Sequence, residues 1–248
     1  MVIRKSRREV ALMREAGRIV ALTHARVREK IAPGVTTAEL DAVAHEFVIE
    51  QGAVPSFLGY NGFPASLCVS VNDEVVHGIP GPRVLKEGDI VSVDFGAIYR
   101  GYHGDAAFTV GVGDIGEKAR KLIETTRGAL EAAIAQCLSG NHLGDVSAAI
   151  QSWAESRGFS VVRQYVGHGI GRNMHEDPKI PNFGLPGRGI LLKPGMTFAL
   201  EPMVNVGVYL TRVRDDDWTV VTDDGKLSAH FEHTIAVTDG EPEVLTRL

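Results

Sequence analysis

A chain of 248 residues, 44% hydrophobic and 23% charged with a mean hydropathy of zero, is long enough to bury a full core and reads as an ordinary globular protein. Its net charge of −5 argues against nucleic acid as the main partner, since a phosphate-binding face needs a basic excess. No run of about 18 apolar residues offers a membrane span, and two cysteines, Cys68 and Cys137, are too few for a disulfide framework or a zinc site of cysteines.

A reducing cytoplasm is therefore the expected compartment. The basic cluster Arg4-Lys5-Ser6-Arg7-Arg8 could imitate the start of a signal peptide, but Glu9, Arg14, Glu15 and Arg18 fall where its apolar stretch should be. Helical periodicity then covers 7–31 and 37–51, the second opened by a capping box of Thr36 and Glu39, with Leu40, Val43, Ala44 and Phe47 on one face. Strand patterns follow at 66–72, 89–99 and 102–112, then helices at 115–139 and 145–157. The last carries Val146, Ile150 and Trp153 and stops near Gly158. Further strands are predicted at 161–166, 196–206, 218–222 and 228–238.

The two ends of this series resemble each other. Gly34 and Gly52 bracket the second helix as Gly140 and Gly158 bracket the fourth, at an offset of 106. Leu85-Lys86-Glu87-Gly88 followed by Asp94 returns at an offset of 107 as Leu192-Lys193-Pro194-Gly195 followed by Glu201, and His77-Gly78-Ile79 echoes His168-Gly169-Ile170. A second strand with its own acid, Asp105 or Glu232, comes after each. The identities are few enough for chance, but the pattern suggests a duplicated helix–strand unit, with halves roughly 34–112 and 140–238, whose carboxylates converge on one centre.

Acids inside apolar strands are costly to bury unless something positive meets them, and no lysine or arginine recurs beside these four. Tyr99-Arg100-Gly101-Tyr102 should turn a hairpin with a loop of two residues, which puts Asp94 opposite Ala107 and Asp105 on the diagonal of the same face. Diagonal neighbours lie about 7 Å apart, within reach of one cation. An odd loop would send the two acids to opposite faces, and two surface acids on an edge hairpin would also fit this pair alone; the second pair, Glu201 and Glu232, weighs against that. Four carboxylates balance two divalent cations. Such a centre, with ions about 3.5–4 Å apart, can hold a bridging hydroxide and polarise a carbonyl. His168, in a glycine-flanked setting, would supply one nitrogen, and an oxygen-rich set with one imidazole suits Mn, Fe, Co or Zn. His77 and His175 fit proton donors or hydrogen-bond partners beside it, and equally fit packing or surface histidines.

Gly111-Val112-Gly113-Asp114-Ile115-Gly116, with Glu131 beyond it, has the form of a dinucleotide fingerprint. Asp114 would oppose a pyrophosphate there, and serves better as a helix N-cap with Glu117 in its first turn.

Taken together, Met13-Arg14-Glu15-Ala16-Gly17-Arg18, Asn72-Asp73-Glu74-Val75-Val76-His77-Gly78-Ile79-Pro80, Asp94-Phe95-Gly96, Gly167-His168-Gly169-Ile170-Gly171 with His175-Glu176, Glu201-Pro202 and Glu232-His233-Thr234-Ile235 resemble the type I methionine aminopeptidases over essentially the whole chain. The resemblance implies an α+β pita-bread fold: one catalytic domain over 1–248, built as two pseudo-twofold-related α-β halves around a curved antiparallel sheet. It implies hydrolytic removal of the initiator methionine from nascent proteins, at the ribosome, when the second residue is small. By the same resemblance Asp94, Asp105, His168, Glu201 and Glu232 hold two divalent metals, and Glu201 shuttles a proton from the bridging water to the leaving amine. His77 contacts the substrate and the scissile amide nitrogen, and His175 stabilises the oxyanion. Tyr60, Phe63, Cys68 and Trp218 match the methionine pocket, and Asn72 and Ser228 flank a monovalent-cation position in some members. Met174 stands where some members have phenylalanine, and Phe57 where some have cysteine, which bears on fine substrate preference. With no zinc-finger extension and no room between 202 and 230 for a helical insert, a minimal, bacterial-like monomer is expected. Proline dipeptidases of the same fold carry an extra N-terminal domain, and non-enzymatic relatives lose ligands that this chain keeps.

Overall fold

The computed structural model describes residues 2–248. The four expected helices are α1 (Arg7–Lys30), α2 (Thr37–Glu50), α3 (Glu117–Ile134) and α4 (Leu143–Glu155). Before α3 come β1 (Val54–Pro55), β2 (Cys68–Val71), β3 (Glu74–Val76), β4 (Ile90–Tyr99) and β5 (Tyr102–Gly111). After α4 come β6 (Ser160–Val161), β7 (Gly167–Gly169), β8 (Glu176–Ile180), β9 (Thr197–Leu200) and β10 (Met203–Asn205). The series ends with β11 (Thr211–Val213), β12 (Val220–Thr222), β13 (Ser228–His230), β14 (Glu232–Ala236) and β15 (Glu243–Val244). No helix among the described residues is long and apolar enough to cross a membrane.

One antiparallel sheet runs β1-β4-β5-β14-β9-β7-β8, with β2 also on β4 and β15 on β14. Two three-stranded sheets, β13-β10-β6 and β11-β12-β3, flank it. Alternation along the strands separates two faces. Val91, Val93, Phe95, Ala106 and Phe108 lie buried with Ile19, Val20, Leu40, Ala44 and Val48 of α1 and α2. Phe198, Leu200 and Ile235 likewise pack with Leu122, Leu130, Val146 and Ile150 of α3 and α4. The helices thus cover one face, and the residues between those positions, including Asp94, Asp105 and Glu232, point to the other.

The capping box at α2 is present: the Thr36 hydroxyl accepts from Glu39 N–H, and Glu39 accepts from Thr36 N–H at 2.7 Å. At α4 the equivalent place is taken by Asp145, which accepts from His142 N–H at 2.7 Å, so the helix opens earlier than the periodicity suggests. The repeat noted in the sequence recurs in the backbone bonding. Gly34 and Gly140 donate to Leu85 and Leu192, while Gly88 and Gly195 donate to Val112 and Val237. The φ angles match as well, at 95° and 97° for the first pair and 88° and 87° for the second, a left-handed region that suits glycine.

Four expectations need correction. The strand expected at 196–206 is two, broken at Glu201-Pro202, where the chain leaves one sheet for another. The one expected at 228–238 breaks in the same way at Phe231. The strand expected at 161–166 is instead Ser160–Val161, followed by Gly167–Gly169 around His168. Finally, Asp114 is not the N-cap of α3. Gly116 is, and the Asp114 N–H donates to Glu87 Oε1 at 2.5 Å. A Cβ on Gly113 would collide with that same Glu87 carboxylate, so an acid fills the turn where a pyrophosphate would lie.

Candidate metal centre and active site

Two rungs of the sheet, separated by the Phe95–Ala106–His233 rung and so facing the same way, carry Asp94, Asp105 and Glu232. In the first, Cys68 pairs with Asp94, Asp94 with Ala107, and Ala107 with Glu232. In the second, Asp105 pairs with Gly96, and the Thr234 hydroxyl accepts from Asp105 N–H while donating to Asp105 O. Thr234 faces Ala199, which faces His168. The expected hairpin sets this register, with Tyr99 opposite Tyr102 across Arg100 and Gly101, both at positive φ. Small partners (Gly96, Ala107, Ala199) leave open space where the longer acidic side chains meet.

Asp105, Glu232 and His168 are buried, and each offers a ligand atom within 4.8 Å of the others. Asp94 lies beside Asp105. Glu201, at the break after β9, brings Oε1 to 3.6 Å from His168 Nε2. The His168 tautomer follows from its surroundings: Nδ1–H donates to Gly169 O at 2.9 Å, which leaves Nε2 as a free lone pair. Asn182 braces the break, donating to Glu201 O at 3.1 Å.

Electrostatically the cluster is unfinished. Asp94 Oδ1, Asp105 Oδ1 and Glu232 Oε1 are buried with no hydrogen-bond partner. No lysine or arginine forms an ion pair with any of the four acids among the described residues. Burial pushes the Asp94 carboxyl up to about 7. Burial, then the Glu232 and Asp94 charges, raises Asp105 well above the carboxylate range. Burial and the neighbouring acids do the same to Glu201 and Glu232. Buried carboxyls with orphaned oxygens and one unprotonated imidazole nitrogen are the donors a hard or borderline divalent cation requires. The residues fit such an ion.

A cavity of about 180 Å³ opens over the cluster, and all eleven site residues named from the sequence line it. Tyr60 and Phe63 come from the turn around Gly59–Gly62, Cys68 from the start of β2, and Trp218 from the loop before β12, where Asp216 Oδ1 accepts from Trp218 N–H at 3.0 Å. Phe63 meets Trp218 edge-on at 5.1 Å. His77 follows β3 at φ 61°, a strained conformation for a non-glycine residue, with its ring edge-on to Tyr165 and Trp218. Burial lowers His77 to about 4, so it is neutral. At the rim, the His175 ring lies 4.2 Å from His168, and its Nδ1 is bonded to the Tyr60 hydroxyl at 2.8 Å. Phe57, Met174 and Asn61 complete the wall. Neither Asn61 nor Asn182 carried a sequence signal. Asn72 and Ser228 adjoin, Ser228 N–H donating to Asn72 O at 2.9 Å, while Asn72 Oδ1 accepts from Ile90 N–H.

Residues 11–239 match the family model for metallopeptidase family M24. The chain belongs to that family. It is 55% identical over 248 residues to methionine aminopeptidase 1 of Bacillus subtilis, with all of both chains covered. The crystal structure of methionine aminopeptidase from Thermotoga maritima superposes with a TM-score of 0.99 at 48% identity, again covering 100% of each chain. Prolidase from Pyrococcus horikoshii, at 22% identity, still superposes with a TM-score of 0.81 over 100% of this chain and 64% of that one. The last comparison speaks to fold alone, and the pita-bread fold expected from the sequence is the fold of this chain. As an M24 metallopeptidase, it is a metal-dependent hydrolase.

Proposed function

We propose that this chain is a methionyl aminopeptidase, hydrolysing the peptide bond after the N-terminal methionine of nascent polypeptides whose second residue is small. One observation carries the reading: three acids with orphaned buried oxygens, together with Glu201 and an imidazole, floor a cavity walled by aromatic rings, Met174 and Cys68. Asp94, Asp105, His168, Glu201 and Glu232 are the residues that would hold two divalent cations, of Mn, Fe, Co or Zn type. When bound, such ions supply Lewis acidity, polarising a carbonyl and lowering the pKa of water.

The protein's own groups do the rest. Tyr60, Phe63, Cys68 and Trp218 receive the methionine side chain, whose polarisable thioether suits aromatic and sulfur neighbours. Neutral His77 hydrogen-bonds the substrate at the scissile amide nitrogen. His175, anchored through Nδ1 by Tyr60, keeps Nε2 for the developing oxyanion. Glu201 takes a proton from the attacking water and returns it to the departing amine. The paired backbone bonds of the two glycine sets support one catalytic domain of two related halves, roughly 34–112 and 140–238. A monomer working at the ribosome, with a monovalent cation beside Asn72 and Ser228, completes the proposal on the strength of the sequence resemblance, and the two free cysteines support a reducing cytoplasm.

The test uses chelator-treated protein with Met-Ala-Ser, Leu-Ala-Ser and Xaa-Pro peptides, before and after Mn or Co is restored. Methionine release only with metal is expected. Metal-independent release, or preferred Xaa-Pro cleavage, overturns the reading.

A further inference from the structure

His230 has no part in the chemistry above, yet its ring stands against the centre. The side chain is 2% exposed, its Nε2 is buried without a hydrogen-bond partner, and that nitrogen lies 3.8 Å from Glu232 Oε2. The backbone beside it is held rigidly. At the break between β13 and β14, Thr109 Oγ1 accepts from His230 N–H at 2.8 Å and donates to His230 O at 2.7 Å. The Ser92 hydroxyl, 2.8 Å away, then serves as the donor to Thr109. With its backbone fixed on both sides and its side chain buried, the ring has little room to seek another partner.

The two oxygens of Glu232 differ in their surroundings. Oε1, the orphaned one, has no protein partner, and Oε2 is the one beside the imidazole. A carboxylate that binds a cation through one oxygen is commonly fixed by a hydrogen bond at the other. We propose that His230 is a positioning residue for the metal centre: its Nε2–H donates to Glu232 Oε2 and thereby aims Oε1 at the cation. The bond requires the Nε2–H tautomer and a closure of about 1 Å to normal hydrogen-bond length once Glu232 is ionised. The inference rests on the metal-centre reading, and it accounts for an orphan atom which that reading leaves over, His230 Nε2.

Mn(II) is titrated calorimetrically into chelator-stripped wild-type protein, His230→Met and His230→Gln, and the metal-free forms are melted in parallel. His230→Met should bind Mn(II) about 10–100-fold more weakly, the usual cost of losing a hydrogen-bond partner to a ligand. Its metal-free form should melt no lower than wild type, because a buried polar atom with no partner has been removed. His230→Gln, with an amide N–H of similar reach, should recover most of the affinity. Unchanged Mn(II) affinity in His230→Met overturns the assignment. So does a lower melting temperature of metal-free His230→Met, which would mark an ordinary packing residue, or a His230→Gln as weak as His230→Met. A wild-type protein that takes up no Mn(II) would instead sink the metal-centre reading itself, and this inference with it.

Discussion

Single residues in this site separate into those that hold charge and those that touch substrate, and substitutions can tell them apart. Glu201 is proposed in both parts, since its carboxylate faces His168 Nε2 and also moves a proton. Glu201→Gln keeps the size of the side chain but removes its basicity, so turnover should fall by about 10²–10⁴-fold, the usual worth of a positioned acid–base group. His77 lines the cavity but is not one of the orphaned buried donors. His77→Ala should therefore lower kcat on Met-Ala-Ser with metal content, read by atomic absorption, close to that of wild type. Loss of metal from His77→Ala would contradict its placement as a substrate contact. The strained φ of 61° at His77 points the same way, because it is maintained where a ring must be delivered to the cavity.

At the level of elements, periodic features were legible in the sequence and aperiodic ones were concealed. The hairpin of β4 and β5 was fully legible: one turn dipeptide fixed the register, and the register put Asp94 and Asp105 on a common face. Helix α2 announced itself through its capping box. By contrast β8, Glu176–Ile180, is an edge strand carrying Glu, Asp, Pro and Lys with alternate residues exposed, so it offered no apolar alternation to read. The breaks at Glu201-Pro202 and Phe231 were hidden because the apolar pattern runs on while the chain changes sheets, which is a tertiary event. His230 escaped notice for a related reason: only the three-dimensional contact with Glu232 distinguishes it from a core histidine. The glycine pair permits a sharper test of the repeat. Gly88 and Gly195 have nearly the same φ, yet a Cβ at Gly88 would find only Asp114 O at 3.8 Å, whereas one at Gly195 would meet Lys5 O at 2.6 Å. Lys5 cannot withdraw, since its Nζ is buried against Glu176 at 2.5 Å. Gly88→Ala should then cost about 1 kcal/mol from the backbone alone. Gly195→Ala should cost roughly 1–3 kcal/mol more from overpacking. Urea midpoints of the two variants would settle the order, and equal midpoints would contradict it.

For the molecule as a whole, the acids that make the centre useful also make the metal-free protein sensitive to pH. Asp94 has an ordinary value of 3.8 and is pushed up to about 7 by burial. Between those values the unfolded chain has released its proton and the folded, metal-free chain retains it. Folding therefore binds a proton, and stability falls as pH rises through this window, flattening above about 7. Asp105, Glu201 and Glu232 are raised in the same direction and add to the trend. Buried histidines act oppositely. His24 and His230 are lowered to about 3, and His103 and His233 to about 4, so each contributes stability that is lost as pH falls below its unfolded value of 6.5. A melt of the metal-free protein alone sums these opposing slopes. The difference between Mn-loaded and chelated melting temperatures largely does not, because His24, His103 and His233 take no part in the metal centre and cancel between the two states. The cation requires ionised ligands, so below about pH 7 its binding must displace the protons that Asp94 and its neighbours retain. The increment in melting temperature on adding Mn should accordingly be small near pH 5 and grow as pH rises through about 7, where Asp94 loses its proton. Proton release measured by calorimetry in buffers of different ionisation enthalpy should decline over the same range. An increment independent of pH would mean that the four acids are already ionised without a metal, and that something other than a divalent cation balances their charge.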